Sequence, residues 1–417
     1  MNMDGITLAV IVRELQSLSD AKIERIYQPL RDEVTIYLHT RASKKRLMLS
    51  ASAADCRIHL TEQTQQKQKK APNFCMVLRK YLTAGRIASI EQAGLDRIVR
   101  IGIDSKDEMG VLQRYTLILE LMGKYSNLIL CGADGRILDS IRHVSLDVSS
   151  KRQVLPGLTY ILPPSEKKDP RVTPAEVLAE SLTERDLPSS LPQCVEGISP
   201  QTAAQLVGEF WPAGAPKVLP AAEALPFARH IAVRIGEMLV HPQPCLQTDN
   251  AGNPVFFSAV PYAAYAEQGR QYFQTANELV DHFYAIRTYR RQFQVMQDAL
   301  YRVLRKQIRR LEKNVRIHQE TMLGKEKADK FLLYGALTSA NLYQLKRGAS
   351  VAEVLNYYTG EMVKIPLDPA ISPAQNATKF FKKASKMKHG AALAQEHYEK
   401  DFAELTYLRS LEFDAAS

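Results

Sequence analysis

Residues 94–144 read GLDRIVRIGIDSKDEMGVLQRYTLILELMGKYSNLILCGADGRILDSIRHV. This is a run of four short β-like segments joined by turn residues. Val99, Ile101 and Ile103 alternate with Ile98, Arg100 and Gly102, and Tyr115, Leu117, Leu119 and Leu121 alternate with Thr116, Ile118 and Glu120, the two-residue period of a pleated strand. Gly-Ala-Asp-Gly at 132–135 supplies hairpin chemistry. The stretch predicts an antiparallel meander with one face packed and the other wet. Its polar insertions are Asp96-Arg97 at a strand start and Gly123-Lys124-Tyr125-Ser126-Asn127 at a turn, and function is sought there.

Upstream, Asp4 precedes Ile6, Leu8, Ile11, Val12 and Leu15 at helical spacing, the position of an N-cap. Strand-like runs at 22–27, 33–39, 46–50 and 57–60 predict a second small antiparallel sheet, and 63–70 a polar, basic linker. Ala71-Pro72-Asn73 opens a helix that carries Met76, Leu78, Arg79, Lys80 and Leu82 and stops at Gly85-Arg86. Basic residues on a helix before a sheet either contact phosphate or form a solvated face.

Downstream, the proline-rich 154–164 reads as an extended exit from the first domain. At 195–206, Val-Glu-Gly-Ile-Ser-Pro followed by Gln-Thr-Ala-Ala-Gln-Leu predicts a helix, a tight glycine turn and a Ser-Pro cap on a new helix. This is either a helix-hairpin-helix, whose turn amides can meet a phosphate, or a plain helical hairpin. Residues 245–262 carry a hairpin-like pattern that either returns to the first sheet or stands apart. Phe293, Met296, Leu300, Leu304, Ile308, Leu311 and Val315 then repeat at three and four among Arg and Lys residues, as one strand of a basic coiled coil. A second strand starts at Ser372-Pro373 and runs through Leu408, with a helical stretch at 327–346 and an irregular 365–369 between the two. The pattern predicts an antiparallel arm of roughly 50 Å with a knob at its tip.

The composition fits this multi-unit picture. A chain of 417 residues with 45% hydrophobic content exceeds one ordinary domain, and a net charge of +10 favours a polyanionic partner. Five cysteines without CxxC spacing read as reduced thiols. The N-terminus lacks signal-peptide character and no run approaches the ~20 apolar residues of a membrane span, so the expected location is the cytoplasm. No phosphate-binding loop, dinucleotide fingerprint, zinc-protease or nucleophile-elbow motif is present, so no catalytic residue, metal or cofactor is assigned. His143 reads as a surface or satisfied histidine. Asp96-Arg97 is either an internal ion pair or a nucleotide reader. The 124–127 turn offers a cation, a stacking ring and two hydrogen-bonding groups that suit RNA or a tight turn equally. The residues by themselves reach as far as a basic, multi-domain, RNA-binding protein with a reaching arm.

Several long motifs resemble one family. MDGITLAVIVREL (3–15), RIYQPLRDEVTIYLH (25–39), LMLSASAADCRIHLT (47–61), PNFCMVLRKYLTAGRI (72–87), ELMGKYSNLILCGADGRILDSIRHV (120–144) and VLPGLTYILPP (154–164) are similar to the N-terminal domain of the NFACT family. FLLYGALTSANLYQLKRG (331–348), VAEVLNYYTG (351–360) and IPLDPAISPAQNATKFFKKASKMK (365–388) resemble its middle coiled coil. The bacterial members are the RqcH, or fibronectin-binding protein A-like, proteins. The resemblance implies an α+β chain. Residues 1–170 would form an antiparallel-sheet domain like that of formamidopyrimidine-DNA glycosylases, with 245–275 either completing it or apart. Residues 171–244 would form a helix-hairpin-helix domain, and 276–417 a coiled-coil domain with a tip insert at about 325–371.

The resemblance also implies a role. Such a factor binds the large ribosomal subunit carrying peptidyl-tRNA and recruits alanyl-tRNA for template-free alanine tailing, with no bond-making site of its own. Asp4, Asp96 and Arg97 match residues implicated in tRNA recruitment, and Lys124, Tyr125, Ser126, Asn127, Arg79, Lys80 and Arg86 are added to one tRNA-facing surface. Members usually continue into a C-terminal RNA-binding domain beyond the residues present here. The family's older name implies the alternative of a fibronectin-binding surface adhesin. Glycosylase chemistry needs an N-terminal proline amine, whereas this sequence starts Met1-Asn2-Met3.

Overall fold

The computed structural model describes residues 3–64, 70–147, 149, 152–265 and 267–414; most of the expected 63–70 linker lies outside them. The chain opens with α1 (Gly5–Glu14), then β1 (Lys22–Leu30), β2 (Glu33–His39), β3 (Lys44–Ser50) and β4 (Arg57–Leu60). Next come α2 (Asn73–Leu82), β5 (Arg86–Gln92), β6 (Ile98–Lys106), β7 (Leu112–Glu120), β8 (Asn127–Cys131) and β9 (Ile137–Ser140). Helices α3 (Ala175–Leu182), α4 (Leu191–Cys194), α5 (Pro200–Phe210) and α6 (Ala221–Val240) follow, and then β10 (Cys245–Thr248), β11 (Pro254–Ser258) and β12 (Arg270–Tyr272). The last elements are α7 (Ala276–Met322), α8 (Gly324–Ala340), β13 (Val351–Asn356), β14 (Glu361–Pro366) and α9 (Pro373–Asp414).

The two expected sheets are one. All nine strands join in the order β4-β3-β2-β1-β5-β6-β7-β8-β9, and the strand that unites them, β5, is the one the sequence pattern hides. A register shift between Ile87 and Ser89 breaks the two-residue period, so the buried Ile87 and Ile90 fall three apart. The join is narrow: β1 meets β5 at the register pair Lys22 with Arg86. Backbone bonds flank that pair, from Ile23 to Gly85 (2.8 Å), Ala84 to Ile23 (2.9 Å) and Ile87 to Ala21 (3.0 Å).

Helix α1 lies in the principal core with Leu8 and Ile11 fully buried, as is Leu15 just past its end, each such side chain worth about 1.5–3 kcal/mol. The same core takes Leu78 and Leu82 of α2, Leu117 and Leu119 of β7, Phe227 and Ile231 of α6, and Leu246 and Phe257. Met76, by contrast, points to solvent. The other face of the meander is not wet as expected. Ile98, Ile118, Ile129 and Ile137 form a second small cluster with Val154 and Tyr160, because the proline-rich exit folds back over them. Its anchor is the fully buried Glu120, which accepts from Arg152 at 2.7 and 2.6 Å and from the Tyr160 hydroxyl at 2.8 Å. Strands β10 to β12 form their own three-stranded sheet, order β11-β10-β12, and do not extend the large one.

The chain divides into two compact units, Met1–Arg290 and Arg291–Ser417. In the first, the start of α7 is held against α1 and β4. Glu14 accepts from the Ala276 amide (2.7 Å), the Asn277 amide (3.0 Å) and the Asn277 side chain (2.6 Å). Asp281 accepts from the Thr61 hydroxyl (2.6 Å) and the Glu62 amide (3.0 Å). In the second unit α7 and α9 run antiparallel, with Arg305 on Glu412 (2.8 Å), Arg409 on Glu312 (2.7 Å) and His318 beside Asp401 (3.3 Å). Ile308, Leu311, Val315 and Leu405 pack between them. Helix α8 stops at Ala340, short of the expected 346, and a β13–β14 hairpin, unread in the sequence, packs Val354 and Ile365 against Leu337 and Phe380.

Candidate nucleic-acid interface

The first expected site residue, Asp4, is an N-cap. Its backbone is extended, and one carboxylate oxygen accepts from the Thr7 amide at 2.8 Å, satisfying a donor that α1 cannot. The other oxygen accepts from the Thr202 hydroxyl at 2.8 Å, and the residue is 8% exposed. Next to it, Gly5 donates its amide to the Gly197 carbonyl at 2.7 Å. A Cβ on Gly5 would lie 1.9 Å from the Leu95 carbonyl oxygen and 2.5 Å from the Gly197 Cα. Gly197 has φ +82, and a Cβ there would meet the Leu95 side chain at 2.7 Å. Three segments therefore touch backbone to backbone: the start of α1, the β5–β6 turn and the turn before α5.

That junction fixes Asp96 and Arg97. Leu95 donates its amide to Glu196 Oε2 at 2.9 Å, and the Gln92 side-chain amide bridges the carbonyls of Gly5 (3.0 Å) and Asp96 (2.9 Å). Asp96 Oδ1 accepts from the amide of Arg97 at 2.7 Å, so this carboxylate shapes its own loop. The Arg97 carbonyl accepts from the Leu121 amide at 2.8 Å, which brings the 122–127 turn alongside. Both side chains are half-buried.

Within that turn the four residues divide. Ser126 and Asn127 are buried: Ser126 Oγ accepts from the Met122 amide at 2.9 Å, and Asn127 bonds the Leu128 amide and both backbone groups of Arg142. They build the turn. Lys124 and Tyr125 face outward, Tyr125 at 70% exposure, with the Lys124 amine 4.9 Å from the ring centroid. Arg142 supports them from below, donating to the Lys124 carbonyl (3.1 Å) and pairing with Asp32 (2.9 Å).

Arg86 and Lys80 do not share this surface. Arg86 pairs in register with Asp104, whereas Gln92 pairs with Val99, so Arg86 and the Asp96 loop sit at opposite ends of β5, about 20 Å apart at ~3.3 Å per residue. Arg86 donates to the Asp20 carbonyl (2.8 Å) and carboxylate (3.2 Å) beside an open cleft of about 520 Å³ lined by Thr83, Asp104 and Lys106. Lys80 pairs with Glu108 at 2.9 Å. Arg79 donates to the Ile26 carbonyl at 2.8 Å, its guanidinium 5.4 Å from the Tyr27 centroid. The single surface expected from sequence thus loses Arg86 and Lys80, because a strand carries its ends far apart.

Other groups entered the first cluster without a signal in the sequence. Lys167 lies beside Arg97: burial first, then the Arg97 charge, lowers its amine pKa, against the opposing influence of Asp96 and Glu196. Its segment is held by the Lys168 amide on the Cys194 carbonyl (2.8 Å) and the Glu196 amide on the Lys168 carbonyl (2.9 Å). Burial, with Asp96 and Asp169 nearby, raises Glu196 despite the Leu95 amide and Arg171. His143 is a satisfied histidine, 2.7 Å from Asp139. Among the described residues no group of three or more His, Cys, Asp or Glu is placed to hold a metal ion, and no helix is long and apolar enough to cross a membrane.

A family model described as NFACT N-terminal and middle domains matches residues 4–417. The sequence is 31% identical over 421 residues to the Rqc2 homolog RqcH of Bacillus subtilis (strain 168), covering 99% of this chain and 71% of that protein. It is 31% identical over 416 residues to the Rqc2 homolog RqcH of Streptococcus pneumoniae serotype 2, with the same coverage of 99% and 71%. Among solved structures it is similar to the N-terminal part of the fibronectin/fibrinogen-binding protein from Streptococcus suis, at 31% identity and a TM-score of 0.56, over 68% of this chain and 98% of that one.

Proposed function

The chain belongs to the NFACT family, and from that premise we propose that it is a ribosome-associated quality-control factor of the cytoplasm. It binds the large ribosomal subunit carrying peptidyl-tRNA and recruits alanyl-tRNA for template-independent alanine tailing of the stalled chain. Peptide transfer is left to the ribosome, so the protein holds and selects tRNA and makes no bond itself. The observation that carries the reading is the match of residues 4–417 together with relatives named as RqcH that align over 99% of this chain and 71% of their own length.

The tRNA-facing surface is built on the Asp96-Arg97 loop, with Lys167 beside Arg97 and the Lys124-Tyr125 turn tied to the loop through the Leu121 amide on the Arg97 carbonyl. Arg97 and the lysines suit phosphate oxygens, the Tyr125 ring suits an unstacked base, and the Asp96 loop suits a base amine. Residues 171–244 act as the helix-hairpin-helix unit and 1–170 as the glycosylase-like sheet domain. The antiparallel pair of α7 and α9 acts as a coiled coil that engages the ribosome, its tip at about 325–371.

Sequencing the RNA that co-purifies with the protein should return tRNA, tRNA-Ala foremost, with large-subunit rRNA. Asp96→Ala/Arg97→Ala should weaken tRNA binding at least about tenfold; unchanged affinity and selectivity would remove the assigned surface. About three phosphate contacts imply a loss on the order of 40-fold between roughly 50 and 200 mM salt. The name of the solved Streptococcus suis relative raises fibronectin binding as an alternative, which the RqcH relatives do not favour. Cell fractionation decides between them, since a predominantly surface-bound pool would reverse the ranking.

A further inference from the structure

Both carboxylate oxygens of Asp4 are engaged inside the protein, by the Thr7 amide and the Thr202 hydroxyl, each at 2.8 Å. A carboxylate so enclosed cannot reach a base edge, and its charge opposes a phosphate backbone. Its partner Thr202 is fully buried and sits 2.8 Å from Ser199 Oγ and 2.9 Å from the Tyr262 hydroxyl. The proton directions are fixed by chemistry. A carboxylate only accepts, so Thr202 donates to Asp4 and its oxygen receives from Tyr262 and Ser199. Burial, then the Asp4 charge, raises the Tyr262 phenol and keeps it a donor.

This chain of hydroxyls joins three separate elements. Asp4 caps α1, Thr202 lies in the first turn of α5, and Tyr262 follows β11, whose neighbouring Ala259 amide donates to the Thr7 hydroxyl at 3.2 Å. Helix α5 begins at Pro200, three residues after Gly197, whose turn abuts Leu95, and Leu95 precedes Asp96. We propose that Tyr262, Thr202 and Asp4 form a positioning relay for tRNA binding: Asp4 draws α5 onto α1, presses the Gly197 turn against Leu95, and so fixes the backbone that carries Asp96 and Arg97. The proposal rests on the tRNA-binding reading and assigns Asp4 an internal role within it, with Thr202 and Tyr262 as positioning residues.

The test is binding of unfractionated tRNA by the full chain, at a temperature where circular dichroism shows each variant fully folded. Thr202→Val should weaken binding on the order of tenfold, as should Asp4→Asn. Thr202→Ser should restore it to within about threefold. The double variant Asp4→Asn/Thr202→Val should bind no more than about twofold worse than either single variant, since both interrupt one chain. The salt dependence should also flatten by about one phosphate contact, a change that a mere loss of stability does not produce. Where Thr202→Val does not fold, Tyr262→Phe with Thr202→Ser makes the same comparison, with Tyr262→Phe about threefold weaker and flatter in salt. Wild-type binding and salt slope in folded Thr202→Val or Tyr262→Phe, or additive losses in the double variant, overturns the relay. A relay that fails alone leaves Asp96→Ala/Arg97→Ala defective, whereas wild-type binding by that variant removes the tRNA surface and the relay with it.

Discussion

Gly5→Ala introduces a single methyl group at the backbone junction between α1, Leu95 and Gly197. The atom it must displace is a carbonyl oxygen 1.9 Å away, which cannot rotate aside as a side chain would. The expected loss is on the order of 3 kcal/mol or more in urea unfolding; a loss below ~1 kcal/mol would mean that the junction yields. At this scale the sequence is partly transparent. Asp4 reads as a cap because capping is local, reaching only to Thr7. Its second partner, Thr202, is 198 positions away, and no spacing rule connects the two. Ser126 and Asn127 look like ligands in the sequence for the reason they look like turn formers: the same short polar groups serve either purpose, and only burial separates them.

Among elements, the seating of α7 on β4 carries a pH dependence. His59 of β4 is buried at 3.5 Å from Asp281 of α7 and stacks on Tyr284 at 6.3 Å between centroids. Burial lowers its pKa from 6.5 to about 4, outweighing the Asp281 hydrogen bond, with Arg57 lowering it further. Histidine is therefore neutral near pH 7, and its contact with Asp281 is a polar one, not an ion pair. Above 6.5 neither state holds the extra proton and the contribution is complete. As pH falls from 6.5 to 4 the unfolded chain takes up a proton that the native state refuses, and stability declines by about 3 kcal/mol in all. Urea unfolding at about pH 7 and pH 5 should show roughly 2 kcal/mol of this, and His59→Gln should flatten that part of the slope; parallel slopes would clear His59 of the effect. Elements with an unbroken period, such as β6 and β7, were legible in advance. Strand β5 was not, because its register shift spoils the alternation, and neither was the β13–β14 hairpin, whose buried side alternates through the small Ala352 and the polar Asn356.

For the whole molecule, the charge of +10 and the division at Arg290 into two units describe a protein whose parts were individually readable while their joins were not. The first unit holds the clearest case, since strands β4 to β1 and β5 to β9 are held together in the sheet through the pair Lys22 and Arg86. That narrow seam sets an order of assembly. Each half closes through neighbouring hairpins at little cost in chain entropy, whereas the seam must bring together residues on either side of α2 before any bond rewards it. Pulse-labelled hydrogen exchange during refolding should find the amides of Leu117 and Leu119 protected before those of Ile23 and Ile87; simultaneous protection would contradict this order. Until the seam closes, β1 and β5 are unpaired edges in addition to β4 and β9, and that interval is when a newly made copy is most open to pairing with another chain.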